Sequence, residues 1–172
     1  MSAVRSDSID FFLGTTTPAG FKGYFEPLRR EPGMQMYLIK SGPGCGKSSF
    51  MRRIGEAASG KGLDVEYIHC SGDPDSLDAV YIPELHVGFV DATAPHACEP
   101  ANFAYNSDYV NLGRFCGRVD DPRIAQMTDK YRAMYKTAYA YLAAAGSVAN
   151  AEIPGLISEE TVSYTHLRAH ET

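Results

Sequence analysis

Residues 41–49 read Ser-Gly-Pro-Gly-Cys-Gly-Lys-Ser-Ser, and no regular element can run through them. Gly42, Gly44 and Gly46 loosen the backbone, and Pro43 removes a donor and fixes its own φ. Before this stretch lies the apolar run Met36-Tyr37-Leu38-Ile39, of a length suited to a buried strand. After it, Lys47 to about Ala58 carries Phe50, Met51 and Ile54 on one side, as an amphipathic helix does, and Gly60 and Gly62 end it. The segment therefore predicts a strand-to-helix junction bridged by a glycine loop. In such a loop backbone N–H groups turn inward, and the positive end of the helix dipole faces the same point. That arrangement suits an anion.

The eight positions S-G-P-G-C-G-K-S follow the phosphate-loop (P-loop) pattern G-x-x-x-x-G-K-[ST], with Ser41 in place of the first glycine. On this reading Gly42, Pro43, Gly44, Cys45, Gly46, Lys47, Ser48 and Ser49 contact a nucleotide. Lys47 reaches the β- and γ-phosphates, and the Ser48 hydroxyl holds Mg²⁺. The plainer alternative is a glycine-rich turn that happens to carry Lys-Ser. Asp91, directly after Val87-Gly88-Phe89-Val90, is the expected acidic partner for Mg²⁺ and, with Lys47, the expected catalytic pair. A turn-capping aspartate is the alternative there. Residue 92 is Ala, so a glutamate poised to activate water is missing, and His96 or Glu84 would have to serve. Slow hydrolysis follows. Nothing in the sequence separates ATP from GTP.

Leu63-Asp64-Val65-Glu66-Tyr67-Ile68 alternates and predicts a second strand, followed by a polar loop at His69–Ser76. Val80-Tyr81-Ile82 is too short to assign, and His86–Val90 predicts a third strand. The order implies an α/β fold: a parallel, P-loop NTPase-type sheet flanked by helices and followed by a long helix. Asp73, Asp75 and Asp78 are candidates for an acceptor substrate or second metal, against a solvated acidic loop. His69-Cys70 and His96-x-Cys98 offer zinc ligands, though at no standard spacing. Arg114 and Arg118 are candidate lid arginines or simply solvated. From Asp121, a helix cap followed by Pro122, the residues Ile124, Met127, Tyr131, Met134, Ala138, Tyr141 and Ala145 recur at helical steps. That stripe packs either on its own domain or on a helix outside the chain. The expected organisation is a nucleotide-binding core over 1–120, a long helix or the start of a helical insertion over 121–150, and a non-native tail over 163–172.

Composition narrows the partners. A net charge of -5 lacks the excess of basic residues usual in nucleic-acid binders, and no apolar run is long enough to span a bilayer. The first residues show no secretion signal, so a cytoplasmic location is expected. The four cysteines, at 45, 70, 98 and 116, include no C-x-x-C pair, and free thiols are the expected state.

Three stretches together, SGPGCGKSSFMRRIGEAA, VEYIHCSGDPDSLDAVYIPEL and VGFVDATAPHACEP, resemble a little-characterised bacterial family of P-loop ATPases sometimes labelled nucleotide kinase-like. Full-length members carry two P-loop halves in tandem, and the similarity runs from about Phe11 to Ala145. The resemblance implies Lys47 and Ser48 as nucleotide residues, Asp91 as the acidic partner, and a second half beyond this chain. The final residues, SYTHLRAHET, resemble a translated adapter, which would make the chain a truncated reading frame. The leading expectation is an ATP-binding hydrolase that uses Mg²⁺ and slow turnover to reposition attached helices. A nucleotide or small-molecule kinase and a non-catalytic nucleotide sensor are the alternatives.

Overall fold

The computed structural model describes residues 7–29, 31–93, 99, 105–117 and 121–152. In chain order the elements are β1 (Ser8–Phe12), β2 (Gly14–Thr17), β3 (Gly20–Gly23), a short α1 (Phe25–Arg29), β4 (Gln35–Lys40), α2 (Lys47–Ser59), β5 (Val65–Cys70), β6 (Asp73–Ile82), β7 (Val87–Asp91), β8 (Ser107–Asn111) and α3 (Pro122–Glu152). The chain divides into two compact units, one of Met1–Thr15 with Gly23–Gly117, the other of Thr16–Lys22 with Arg118–Thr172.

The first unit is an α/β fold around a six-stranded sheet in the order β1-β5-β6-β7-β4-β8. The sheet is mixed, which corrects the expectation of a parallel one: β6 runs antiparallel to both β5 and β7, while β1–β5, β4–β7 and β4–β8 pair in parallel. The reason is connection length. Only Ser71-Gly72 joins β5 to β6, whereas a parallel crossover needs about ten residues or more. The stretch expected to be a polar loop, His69–Ser76, is thus the end of β5, a two-residue turn and the start of a ten-residue strand. Its Asp and Pro residues hide the strand because they sit at its exposed end, whereas Leu77–Ile82 is buried. The β8 strand, also unexpected, is short, and only Ser107 along it is buried.

Strand alternation divides the core between the sheet's faces. Ile39, Val65, Leu77, Val80 and Ile82 pack with Met51 and Ala58 of α2, with Phe50, Ile54, Tyr67 and Phe89 at the margins. Tyr37 and Phe89 stack at 4.9 Å, and Phe50 meets Phe89 edge-on at 6.1 Å. Met36, Leu38 and Tyr81 are fully buried residues at the alternate positions. The helix approaches the sheet closely because residue 55 is glycine: a Cβ there would lie 2.5 Å from Cε1 of Tyr67. Burial, reinforced by Glu56 and Asp10, raises the Tyr67 phenol pKa.

In the second unit α3 starts where the sequence places it. Asp121 accepts a hydrogen bond from the Arg123 N–H at 2.9 Å and pairs with the Arg123 guanidinium, which holds its carboxyl below the usual range. Gly146 leaves room for Pro18, whose Cβ would stand 2.5 Å from an added methyl. The apolar stripe is exposed at Ile124, Met127, Tyr131, Met134 and Tyr141.

The Gly55–Tyr67 contact yields a prediction. Gly55→Ala must displace the Tyr67 ring, and the overpacking should cost about 1–3 kcal/mol despite alanine's better helix propensity. Urea unfolding measures it, and an unchanged or higher midpoint would show that the ring moves aside freely.

Candidate functional site

The glycine loop leaves the carboxyl end of β4, in the interior of the sheet, and delivers the chain to α2. Gly44 and Gly46 adopt φ of 75° and 79°, the left-handed region closed to most side chains. Gly46 is the residue before the first helical position, and no side chain caps the helix or places an acid in its first turn. A helix start with neither cap nor carboxylate keeps its dipole end for an outside anion. Lys47 folds along the loop, its Nζ donating to the carbonyls of Ser41 at 3.3 Å and Gly42 at 3.2 Å.

Asp91 ends β7, and the β4–β7 register sets it opposite Ile39, two residues before the loop. Its Oδ2 stands 3.5 Å from Lys47 Nζ, both side chains being largely buried, at 15% and 12% exposure. Its Oδ1 accepts from both the N–H and the hydroxyl of Thr93. Oδ1 thus caps the turn at Thr93, the plainer of the two sequence readings, while Oδ2 faces the loop lysine. Ser48 Oγ accepts the Leu77 N–H at 3.0 Å, and one turn further along α2, Arg52 donates to the Asp75 carbonyl at 3.0 Å. The start of β6 thus lies against the first turns of α2. Ser49 is exposed beside Ser48.

The Ser48 hydroxyl and the Asp91 carboxylate are the oxygen donors that could serve Mg²⁺ here, a cation that takes most of its ligands from water and phosphate oxygens. Among the described residues no cluster of three or more His, Cys, Asp or Glu forms a dedicated metal cage. On the other face of the sheet, beside the loop, Lys40, Ser41, Tyr109 and Asn111 line an open cavity of about 460 Å³. Lys40 Nζ there donates to the Ala92 carbonyl at 2.6 Å and sits 5.5 Å from the Tyr109 ring centre. Glu99 joins it, pairing with Lys40 at 3.8 Å and accepting from the Tyr109 hydroxyl. Nothing in the sequence pattern marked this cluster, because its members come from separated segments.

Other candidates do not gather here. Glu84 accepts from the Asp64 N–H in the turn between β6 and β7, at the opposite end of the sheet, so it cannot activate water beside Asp91. Asp73 and Asp75 are exposed in the β5–β6 turn region, Asp73 accepting from Ser76, whereas Asp78 is buried where β6 bulges against β5. Arg114 is exposed in the 3₁₀ turn after β8. His96, Cys98, Arg118 and the tail lie outside the described residues. His69 is removed as a zinc ligand: Nε2 bonds Asp10 Oδ1 at 2.7 Å and Nδ1 bonds the Pro74 carbonyl at 2.6 Å. Both partners are acceptors, so the arrangement is best satisfied with a proton on each ring nitrogen, and a ring engaged at both nitrogens offers no lone pair to a metal. The expectation of free thiols is also corrected, since Cys45 and Cys116 are disulfide-bonded. Folding brings together two residues that the sequence separates by 71 positions, which spacing alone could not reveal.

Comparisons with protein-family profiles, with curated proteins and with solved structures find no match.

The Asp10 contact, chiefly, raises the His69 pKa above its ordinary value. A raised folded-state pKa means that the contact stabilises fully below the ordinary histidine value of about 6.5 and is lost as pH climbs through the folded-state value. The urea midpoint should fall as pH rises past neutrality, and Asp10→Asn should flatten that dependence. A wild-type slope retained by Asp10→Asn would assign the effect to another group.

Proposed function

We propose that the chain binds ATP or GTP with Mg²⁺ through residues 41–49 and hydrolyses it slowly, using the cycle to reposition attached structure. The observation that carries the reading is the approach of Lys47 to Asp91 across an uncapped helix start, on a loop with two left-handed glycines. In this reading backbone N–H groups of the loop and Lys47 hold the phosphates, while Ser48 and Asp91 hold the cation, Asp91 through water. Catalysis is then mainly positioning and charge neutralisation. Turnover is slow because Ala92 follows Asp91 and its carbonyl is engaged by Lys40, leaving no carboxylate next in line to orient water. The family resemblance of the three sequence stretches points the same way, and with it a second phosphate-loop half; the first residues, which show no secretion signal, support a cytoplasmic setting. Among the described residues no helix is long and apolar enough to cross a membrane.

One observation favours phosphoryl transfer as the second reading. The cavity of about 460 Å³ lined by Lys40, Ser41, Tyr109 and Asn111 adjoins the loop and has room for a small acceptor. Product analysis separates the two: inorganic phosphate for the hydrolase, a phosphorylated acceptor for the kinase.

Calorimetric titration of MgATP and MgGTP tests the proposal directly. Lys47→Ala should weaken binding about 100-fold, since a hydrogen bond to a charged group contributes roughly 1.5–3 kcal/mol. Unchanged affinity in a folded variant overturns the site. Asp91→Asn should instead reduce the gain in affinity that Mg²⁺ confers, leaving metal-free binding close to wild type. A normal Mg²⁺ response would mean that another group faces the cation.

A further inference from the structure

Cys45 lies mid-loop between the two left-handed glycines, and Cys116 follows the 3₁₀ turn Leu112–Arg114 beyond β8. They are disulfide-bonded with Cα atoms 5.7 Å apart, so the backbone already stands where such a bridge can form. The same segment meets the loop a second time, since a Cβ on Gly113 would lie 3.9 Å from Ser41 Cα. Ser41 and Cys45 are thus both held by one short stretch. Lys47, two residues past Cys45, is drawn back onto the carbonyls of Ser41 and Gly42.

We infer that Cys45 and Cys116 form a reversible thiol–disulfide clasp on the phosphate loop, which when closed restrains the loop and lowers its affinity for Mg²⁺-nucleotide. The restraint follows from the covalent tie; the effect on affinity rests on the nucleotide reading above. To receive a phosphate the loop must turn its N–H groups toward the anion and release Lys47 from the two carbonyls. A bond at the middle of the span opposes both movements. Gly42, Pro43, Gly44 and Gly46 are exposed, so a small disulfide can reach Cys45. The chemistry is two exchanges with an aliphatic disulfide such as oxidised glutathione. The Cys45 thiolate attacks one glutathione sulfur and expels a glutathione thiolate. The Cys116 thiolate then attacks the Cys45 sulfur of the mixed disulfide and expels the second. The protein loses two electrons and two protons overall, and one glutathione disulfide becomes two glutathiones.

The test equilibrates the full chain in buffers of graded oxidised-to-reduced glutathione ratio, with three readouts. Alkylation and peptide mapping should show a Cys45–Cys116 peptide that appears with oxidant and disappears with dithiothreitol. Hydrogen exchange at amides 42–48 should slow in the oxidised form. MgATP and MgGTP should bind about tenfold more weakly to that form, within the ordinary range for coupled sites. Cys116→Ser, or Cys116→Ala if the serine variant folds poorly, should keep the reduced-form affinity and lose the redox response of loop exchange. Linkage of Cys45 to Cys70 or Cys98 instead, equal loop exchange in both forms, or equal or tighter nucleotide binding when oxidised would each overturn the inference. If neither form binds nucleotide, the proposed function fails, and the clasp stands or falls on the linked peptide and the exchange.

Discussion

The parallel pairing of β4 with β7 is the constraint from which the site follows. It sets Ile39 opposite Asp91, so the last residue of one strand lies beside the departure point of the glycine loop from the other. Side chains alternate along a strand, and a slip of one residue would turn Asp91 to the other face and expose Val90. The register is therefore held by burial of Met36, Leu38, Ile39 and Val90 rather than by anything at the site. The Lys47–Asp91 approach is a consequence of that packing. With both side chains largely withdrawn from water, each charge needs the other, and Thr93 supplies Asp91 with two further donors.

The glycine loop and its flanking elements were legible because the signal is local: an apolar run, a stretch no regular element can cross, an amphipathic run. The cap at Asp121 was legible for the same reason, an Asp-Pro step before a helical period. Sheet direction was harder to read. The Ser71-Gly72 turn is itself a local signal, but Asp73, Pro74 and Asp75 lack the composition of a strand and masked the one that begins there. What fixes their conformation is pairing with β5 and contact with α2, neither of which is written in the segment itself.

The misses at the site share a different cause. Leu77 supporting Ser48, Cys116 reaching Cys45, and Tyr109 meeting Lys40 all join residues from distant parts of the chain. Sequence patterns report periodicity within a segment and are silent on which segments meet. His69 shows the converse error: a metal-ligand type read from its neighbour Cys70, when its two acceptors, Asp10 and the Pro74 carbonyl, consume both ring nitrogens.

These contacts also show why β6 is long. Its buried half, Leu77–Ile82, completes the core beneath α2, and its exposed start stays paired with β5 at Cys70; the strand meets the first turns of that helix through the Leu77 N–H to Ser48 and the Asp75 carbonyl to Arg52. The bulge at Asp78 separates the two halves, because the residues on either side pair with Ile68 and His69 in different registers. A bulge bends a strand and increases its local twist, and here it re-aims the backbone N–H of Leu77 at a hydroxyl on the helix. The Ser48 side chain, which a lone helix start would leave to rotate, is thereby fixed from the sheet. The loop's geometry is set from three sides: β7 through Asp91, β6 through Leu77, and the segment after β8 through Cys116 and Gly113. Of these, only the last contains a bond that redox chemistry can break without disturbing the core.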